Sequence, residues 1–138
     1  MRPLRRFAGY VESAEGRLFG RTILSTLYRQ EVLVLETTGR RTGKRRRTTL
    51  ACREVEGDTV IVGGAGGQTR PPDWVANLRS NPHVIVTRGR RTVPMVARVL
   101  DGDERQATWD LLLPSWPIIT KYQQRAGYPI PVIKLSSP

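Results

Sequence analysis

The residues best suited to chemistry lie in one basic stretch, Thr37 to Leu50, which reads TTGRRTGKRRRTTL. It holds six cationic side chains, interleaved with threonines and two glycines. Guanidinium groups grip phosphates and carboxylates in pairs, and glycines permit the backbone angles at which N–H groups approach an anion. The stretch therefore predicts an anion site, although a solvated hairpin or a nucleic-acid contact fits the same charges.

Most metal and nucleophile chemistry is excluded by the scarcity of reactive side chains. His83 is the only histidine and Cys52 the only cysteine, so neither a Cys/His zinc site nor an internal disulfide is available. The acidic residues are scattered, and we expect no metal. If the protein is an enzyme, a bound organic cofactor must supply the difficult step.

The elements around the basic stretch read as short strands and one helix. Four consecutive apolar residues, VLVL, predict a buried strand from Glu31 to Thr38. An extended run over Arg46–Val55 and a strand over Thr59–Val62 follow, and the latter leads into the glycine-rich GGAGG. A helix then opens at Pro71-Pro72 and stops before Asn81-Pro82.

The second half predicts more hairpins and helices. The expected elements are a hairpin of His83–Thr87 with Arg91–Leu100, a helix from Asp103 with a capping box to Gln106, a short helix over Ile118–Arg125, and a last edge strand over Pro129–Leu135. Five or six strands linked mainly by hairpins favour a small antiparallel barrel over a doubly wound sheet.

Length and charge suit one domain with an anionic partner. The chain has 138 residues and a formal net charge of +11. Residues 1–30 read as a helical or irregular segment in front of a domain over 31–138. Leu4, Phe7, Tyr10 and Val11 recur at helical spacing between arginines, which fits either a basic membrane-surface anchor or an ordinary packed helix. With neither a spanning run nor a signal peptide, we expect a cytoplasmic protein, with membrane association through the N-terminus left open.

Four segments in order resemble the deazaflavin (coenzyme F420)-dependent nitroreductase family: LETTGRRTGKRRRTTL, IVGGAGG, PPDWVANLRSNPHV and YPIPVI. The resemblance implies an α+β, mainly β fold, a split β-barrel of the FMN-binding type with flanking helices. It also implies F420, a deazaflavin with a phosphate and a lactyl-oligoglutamate tail, as cofactor. Reduced F420 would deliver a hydride to a quinone, an enone or a nitro compound.

The resemblance also assigns residues to the cofactor site. The TTGR turn would hold the phosphate and the acidic tail, the next strand would line the same cleft, the small-residue loop would lie against the deazaflavin, and the tryptophan-containing helix start would complete the site. The residues matched in that order are Arg40, Arg41 and Thr42; Arg46, Arg47, Thr48, Thr49, Leu50 and Ala51; Gly63, Gly64 and Ala65; and Asp73, Trp74, Val75, Ala76 and Asn77.

Near the C-terminus the resemblance points to the acceptor. Tyr122 matches a family tyrosine and is our candidate for acceptor contact or proton donation, while Trp116, Ile118 and Ile119 line an acceptor pocket or belong to the core. The chain departs from the family in its shorter GGAGG loop, and in Ile119, where nitroreducing members carry a tyrosine.

Two other functions fit the residues. One is a protein of the same fold that binds FMN or another flavin-type cofactor. The other is a basic nucleic-acid-binding protein without catalysis, although no nucleic-acid-binding motif is visible and we expect no nucleic acid as partner. A homodimer is a further expectation.

Overall fold

The computed structural model describes residues 31–64 and 70–138, and this part of the chain contains seven strands and three helices. In chain order they are β1 (Val32–Thr38), β2 (Arg45–Ala51), β3 (Arg53–Val55), β4 (Asp58–Val62), α1 (Asp73–Ser80), β5 (His83–Arg88), β6 (Arg91–Val99), α2 (Gly102–Leu112), α3 (Ile118–Ala126) and β7 (Val132–Ser136). The predicted N-terminal segment, with its boundary at residue 30, lies outside the described residues and stays a prediction.

The seven strands form one curled sheet in the order β2-β1-β5-β6-β7-β4-β3, and every pairing is antiparallel. The two outermost strands, β2 and β3, are separated in sequence by a single residue, Cys52. One residue spans only about 3.5 Å, so the sheet must curl until its two ends meet. This closure confirms the predicted mainly β barrel, with helices packed around it.

The inside of the barrel is one apolar core. Side chains alternate along a strand, and the register pairs Leu33 with Leu50 and Leu35 with Val86 on the inner face. Helix α1 adds Trp74, Val75 and Leu78 to this core. Leu33 and Leu35 of the VLVL run in β1 and the apolar residues of helix α1 therefore pack into the same core.

A second core lies between the outer face of β3, β4 and β7 and the helices α2 and α3. Val60, Val62 and Val132 of the sheet meet Trp109 and Leu112 of α2 there. Gly63 and Gly64 follow β4 at the seam of the two cores. A side-chain carbon on Gly63 would meet Val75 of the first core, and one on Gly64 would meet Tyr122 and Ile130 of the second.

The prediction that the last strand is an edge strand is wrong. Strand β7 pairs with β4 on one side and with β6 on the other. Its two prolines, Pro129 and Pro131, both precede Val132, so every N–H of the strand itself is available for pairing. The single extended run that was predicted over Arg46–Val55 is two strands in the structure, because β2 pairs with β1 while β3 pairs with β4.

The predicted capping box at Asp103 and Gln106 is also wrong. Helix α2 begins one residue earlier, at Gly102, with Asp101 as its N-cap and no side-chain capping bond. Gln106 donates instead to Asp110 Oδ1, at 2.9 Å. Glu104, which occupies the third helical position, accepts two hydrogen bonds from Arg98, at 2.6 and 2.8 Å. The carboxylate that would complete a capping box is therefore bonded to β6.

Candidate functional site

The basic turn between β1 and β2 is tightly closed by its two glycines. Gly39 N donates to Lys44 O at 2.7 Å, and Gly43 N donates to Gly39 O at 2.9 Å. Gly43 has φ +73°, and a side-chain carbon on Gly39 would lie 3.0 Å from Lys44 O. Both positions therefore require glycine, which accounts for the spacing seen in the sequence.

One arginine of the turn fastens it to helix α1. Arg40 donates to Asn77 Oδ1 from its backbone N, at 3.2 Å, and from Nη1, at 2.9 Å. Its Nη2 lies 3.6 Å from Asp73 Oδ1. Asn77 is buried and donates from Nδ2 to Thr37 Oγ1 at 3.5 Å. Asp73, Asn77 and Arg40 thus belong together, and much of the hydrogen-bonding capacity of Arg40 goes to holding the turn in place.

Two further cations form ion pairs with Glu36, a residue that the sequence reasoning did not single out. The β1–β2 register sets Glu36 opposite Arg47, with Arg45 two residues away on the same face. Arg47 Nε donates to Glu36 Oε1 at 2.7 Å, and Arg45 donates to Glu36 Oε2. Burial alone would raise the pKa of Glu36, but hydrogen bonds from Arg47 and Arg45 bring that pKa below its usual value.

Three cations of the turn have no acidic partner in the part of the chain that the structure describes. Within residues 31–64 and 70–138, no acidic side chain forms an ion pair with Arg41, Lys44 or Arg46. All three are exposed, as is Thr42 between them. Arg46 is paired with Thr37, whose side chain is buried, and so points to the barrel side of β2, away from the Glu36 face. The unpaired positive charge is therefore concentrated at the tip and on the barrel side of the turn.

The glycine pair forms a close contact between β4, α1 and α3. A side-chain carbon on Gly63 would lie 2.7 Å from Val75 Cγ2, and one on Gly64 would lie 3.4 Å from Tyr122 Cδ2. Gly63 N donates to Pro131 O at 2.8 Å. Ala65, the third residue predicted for this loop, lies outside the described residues. The contacts explain why small residues stand here, and they bring Tyr122 next to the loop.

Tyr122 is half-buried against the second core. Burial raises the pKa of its hydroxyl, and Arg125 lowers it only in part. The phenol is therefore protonated in the neutral range, and it releases its proton less readily than an unperturbed tyrosine does.

The other predicted residues divide into strand-face and core positions. Thr48 and Thr49 are half-buried on β2, and Ala51 packs against the second core. Leu50, Trp74 and Val75 are buried in the first core, whereas Ala76 beside them is half-buried. Leu50, Trp74 and Val75 therefore belong to the packing of the barrel.

The structure places Trp116 and Ile119 in the second core. Trp116 is 5% exposed and lies under the guanidinium of Arg53, 4.4 Å from its ring centre, while Ile119 is fully buried. Of the three residues predicted to line either a pocket or the core, Ile118 alone is exposed, at 39%. Tyr122 is thus the α3 residue that the structure brings to the glycine pair.

Two negative observations concern the described residues. In 31–64 and 70–138, no three His, Cys, Asp or Glu side chains lie close enough to hold a metal ion together. In the same ranges, no helix has both the length and the apolar composition needed to cross a membrane.

Comparison with known proteins gives one consistent family. A family model described as F420H(2)-dependent quinone reductase matches residues 5–136. An F420H(2)-dependent quinone reductase of Mycobacterium tuberculosis (strain ATCC 25618 / H37Rv) is 34% identical over 114 residues, which are 75% of this chain and 72% of that protein.

Two solved structures are similar at the same level of identity. One is described as an F420-H2 dependent reductase (FDR-A); it is 33% identical, with a TM-score of 0.68 over 77% of this chain and 94% of its own. The other is described as a domain-swapped dimer; it is 33% identical, with a TM-score of 0.69 over 77% of this chain and 80% of its own.

Proposed function

Because this chain belongs to the F420H(2)-dependent quinone reductase family, we propose that its basic turn and glycine pair form the site from which reduced F420 passes a hydride to a quinone. The protein is an oxidoreductase, and coenzyme F420 is its cofactor. The observation that supports this site is that one short helix, α1, contacts both the basic turn and the glycine pair. Asp73 and Asn77 of α1 hold the turn through Arg40, and Val75 between them touches Gly63. These helix positions span about 6 Å along the axis.

The donors in the turn fit the anionic part of F420. Its phosphate and oligoglutamate carboxylates need several cations, and Arg41, Lys44 and Arg46 have no acidic partner among the described residues. Guanidinium and ammonium groups at an exposed turn bind such anions without the cost of breaking an existing ion pair. Thr42 and Thr48 add hydroxyl donors on the same stretch.

We assign the small-residue loop, which begins with the glycine pair, to the deazaflavin ring, as the family resemblance implies. The cofactor supplies a hydride from its reduced deazaflavin, and the chain supplies a surface for the ring and a proton. Gly63 and Gly64 are buried, and the absence of side chains lets Val75 and Tyr122 pack closely against their backbone, which fixes where the small-residue loop begins. Tyr122 packs next to Gly64 and is protonated at neutral pH, and we assign to it the proton that the acceptor oxygen receives. Buried Trp116 and Ile119 support α3 from behind.

A test of the anion site uses single substitutions in the turn. We expect Arg41→Ala and Lys44→Ala each to weaken F420 binding roughly fivefold to tenfold, with a smaller loss at high salt, because exposed charge pairs are screened. F420 fluorescence titration at 50 mM and 500 mM NaCl measures both quantities. Arg91→Ala, at the exposed start of β6, removes the same charge elsewhere and is the matched control. Affinity unchanged by the turn substitutions would place the anion site elsewhere.

Titration with FMN and with a short oligonucleotide separates the two rival functions. Tight FMN binding without an F420 response would contradict the proposal, and binding of the oligonucleotide alone would favour the nucleic-acid alternative. F420H2 oxidation measured against quinones, enones and nitro compounds then ranks the acceptors. We expect quinones to lead, with nitro compounds weak because Ile119 stands where nitroreducing members carry a tyrosine.

We also propose that the chain forms a homodimer and that it associates with the membrane surface. A solved relative is described as a domain-swapped dimer, which supports a homodimer of this chain. Light scattering coupled to size-exclusion chromatography gives the mass in solution, and a monomer at all concentrations would reject the proposal.

The N-terminal pattern of apolar residues and arginines supports peripheral membrane association. Co-sedimentation of the full chain with anionic vesicles tests that association, and its absence at low salt would reject it.

A further inference from the structure

The segment between α3 and β7, residues 128–131 (YPIP), is held almost entirely by side chains. We call it the proline segment. It belongs to neither a helix nor a strand. Pro129 and Pro131 lack an N–H, so the segment has few backbone donors of its own. A buried backbone still requires hydrogen-bonding partners, which must therefore come from neighbouring elements.

Two side chains provide these partners. Gln123 of α3 donates from Nε2 to Tyr128 O at 2.6 Å and accepts at Oε1 from Ile130 N at 2.9 Å. Arg105 of α2 donates to Ile130 O twice, from Nη2 at 2.7 Å and from Nε at 3.2 Å. We call Arg105 and Gln123 the clamp. Arg105 Nη2 also lies 3.4 Å from Gln123 Oε1, so the two side chains form one network.

The clamp itself is fixed in place by its surroundings. The guanidinium of Arg105 lies over the ring of Trp109, 5.1 Å from its centre, and Trp109 is buried in the second core. A surface pocket of about 400 Å³ is lined in part by Arg105, Trp109, Gln123 and Tyr128. Shortening a clamp side chain therefore enlarges an existing pocket and does not empty the core.

The proline segment passes this constraint on to the glycine pair. Pro131 O accepts from Gly63 N at 2.8 Å. Ile130 Cδ1 lies 3.5 Å from the position a side-chain carbon would take on Gly64. Tyr122, the other neighbour of Gly64, directly precedes Gln123 in α3. The clamp thus holds both sides of the contact between Gly64 and Tyr122.

We propose that Arg105 and Gln123 are positioning residues of the F420 site, which set the places of Gly63, Gly64 and Tyr122 through the proline segment. The inference rests on the proposed function, because it assigns the glycine pair to the deazaflavin. Neither residue needs to touch the cofactor. Their hydrogen bonds fix the backbone from which the small-residue loop starts, and cofactor affinity depends on that geometry.

The test measures F420 affinity and thermal stability in the same set of variants. Gln123→Leu and Arg105→Met remove the hydrogen bonds and keep most of the side-chain volume. We expect each to weaken F420 binding roughly tenfold, as losses of supporting hydrogen bonds do at other sites. The double variant should be little worse than either single one, because both act on one segment. Gln124→Leu, the same change at an exposed neighbouring position, is the matched control.

A second control separates positioning from general destabilisation. Val55→Ala removes volume from the same core on another strand and should lower the melting temperature without changing F420 affinity. Equal loss of affinity in Val55→Ala and Gln123→Leu, or unchanged affinity in Gln123→Leu, would overturn the proposal.

Amide hydrogen exchange gives a measurement that needs no cofactor. We expect the Gly63 and Ile130 amides to exchange at least about tenfold faster in Gln123→Leu than in Gln124→Leu, because the clamp no longer holds the segment. Unchanged exchange at Gly63 would overturn the positioning role whatever the protein binds. If the wild-type protein bound no F420 while exchange changed as expected, the proposed function and the assignment of the site to F420 would fail, and the coupling alone would stand.

Discussion

Glu36 determines how the charge of the basic turn is used. Six cations lie in the sequence from Arg40 to Arg47. Arg45 and Arg47 share the largely buried carboxylate of Glu36, and Arg40 forms an ion pair with α1. The sequence predicts the charge and the turn, because the positive charge of arginine and the turn preference of glycine are properties of the residue types themselves. It does not predict which cations are free, since that depends on a cross-strand register known only once β1 and β2 are paired.

The pH dependence of stability follows from Glu36. Its folded-state pKa is lowered from 4.5, so its contribution to stability is present above pH 4.5 and is lost as the pH falls through the folded value. We expect Glu36→Gln to lower the free energy of unfolding by about 1 kcal/mol at pH 7 and to flatten the loss of stability below pH 4.5. Urea unfolding from pH 7 to pH 3 measures both effects.

The control for Glu36→Gln is Glu56→Gln, at an exposed turn position. A curve for Glu36→Gln that stays parallel to that of the wild-type protein down to pH 3 would mean that the ion pairs contribute nothing to folding.

At the scale of elements, the contact between β4 and α1 depends on Gly63. A side-chain carbon there would lie 2.7 Å from Val75 Cγ2, which belongs to a buried, β-branched side chain with little freedom to move. We expect Gly63→Ala to cost about 1–3 kcal/mol in unfolding free energy, as overpacking usually does. Gly64→Ala should cost less, because its nearest neighbour is 3.4 Å away.

A double-mutant cycle with Val75→Ala isolates the cause. Removing Cγ2 should recover part of the loss caused by Gly63→Ala, so the two changes together should cost less than their sum. Strict additivity in chemical denaturation would mean that the strain lies elsewhere.

The elements themselves were largely predictable from apolar patterns, and their neighbours were not. Apolar runs, prolines and turn residues predict β1, β4, the β5–β6 hairpin and α1 within one or two residues. Strand β7 was predicted at an edge because prolines precede it, yet it lies between β4 and β6. Local sequence gives the type of an element, whereas its place in the sheet depends on contacts with residues far away in the chain. The clamp was missed for the same reason, since Arg105 and Gln123 meet only in the folded protein.

At the scale of the whole molecule, the net charge of +11 opposes compaction. Among the described residues, Arg41, Lys44 and Arg46 form no ion pair with an acidic side chain, so self-repulsion should fall as salt is added. We expect the melting temperature to rise by a few degrees between 20 and 300 mM NaCl, where the screening length shrinks from about 20 to about 6 Å.

The salt effect has an internal comparison. Arg41→Ala combined with Lys44→Ala lowers the charge by two without breaking an ion pair among the described residues, and should reduce the slope of melting temperature against salt. A melting temperature that falls with salt would mean that favourable ion pairs outweigh the repulsion.

The interior position of β7 also determines when the sheet can finish folding relative to synthesis of the chain. Residues 132–136 are the last strand, and both β4 and β6 need them for pairing. While the ribosome is still synthesising the chain, these two strands each present an unpaired apolar edge. The barrel cannot be completed until residue 136 has left the exit tunnel, so folding of the sheet finishes after, and not during, the synthesis of its strands. Binding of a chaperone to the nascent chain is therefore most useful in that interval.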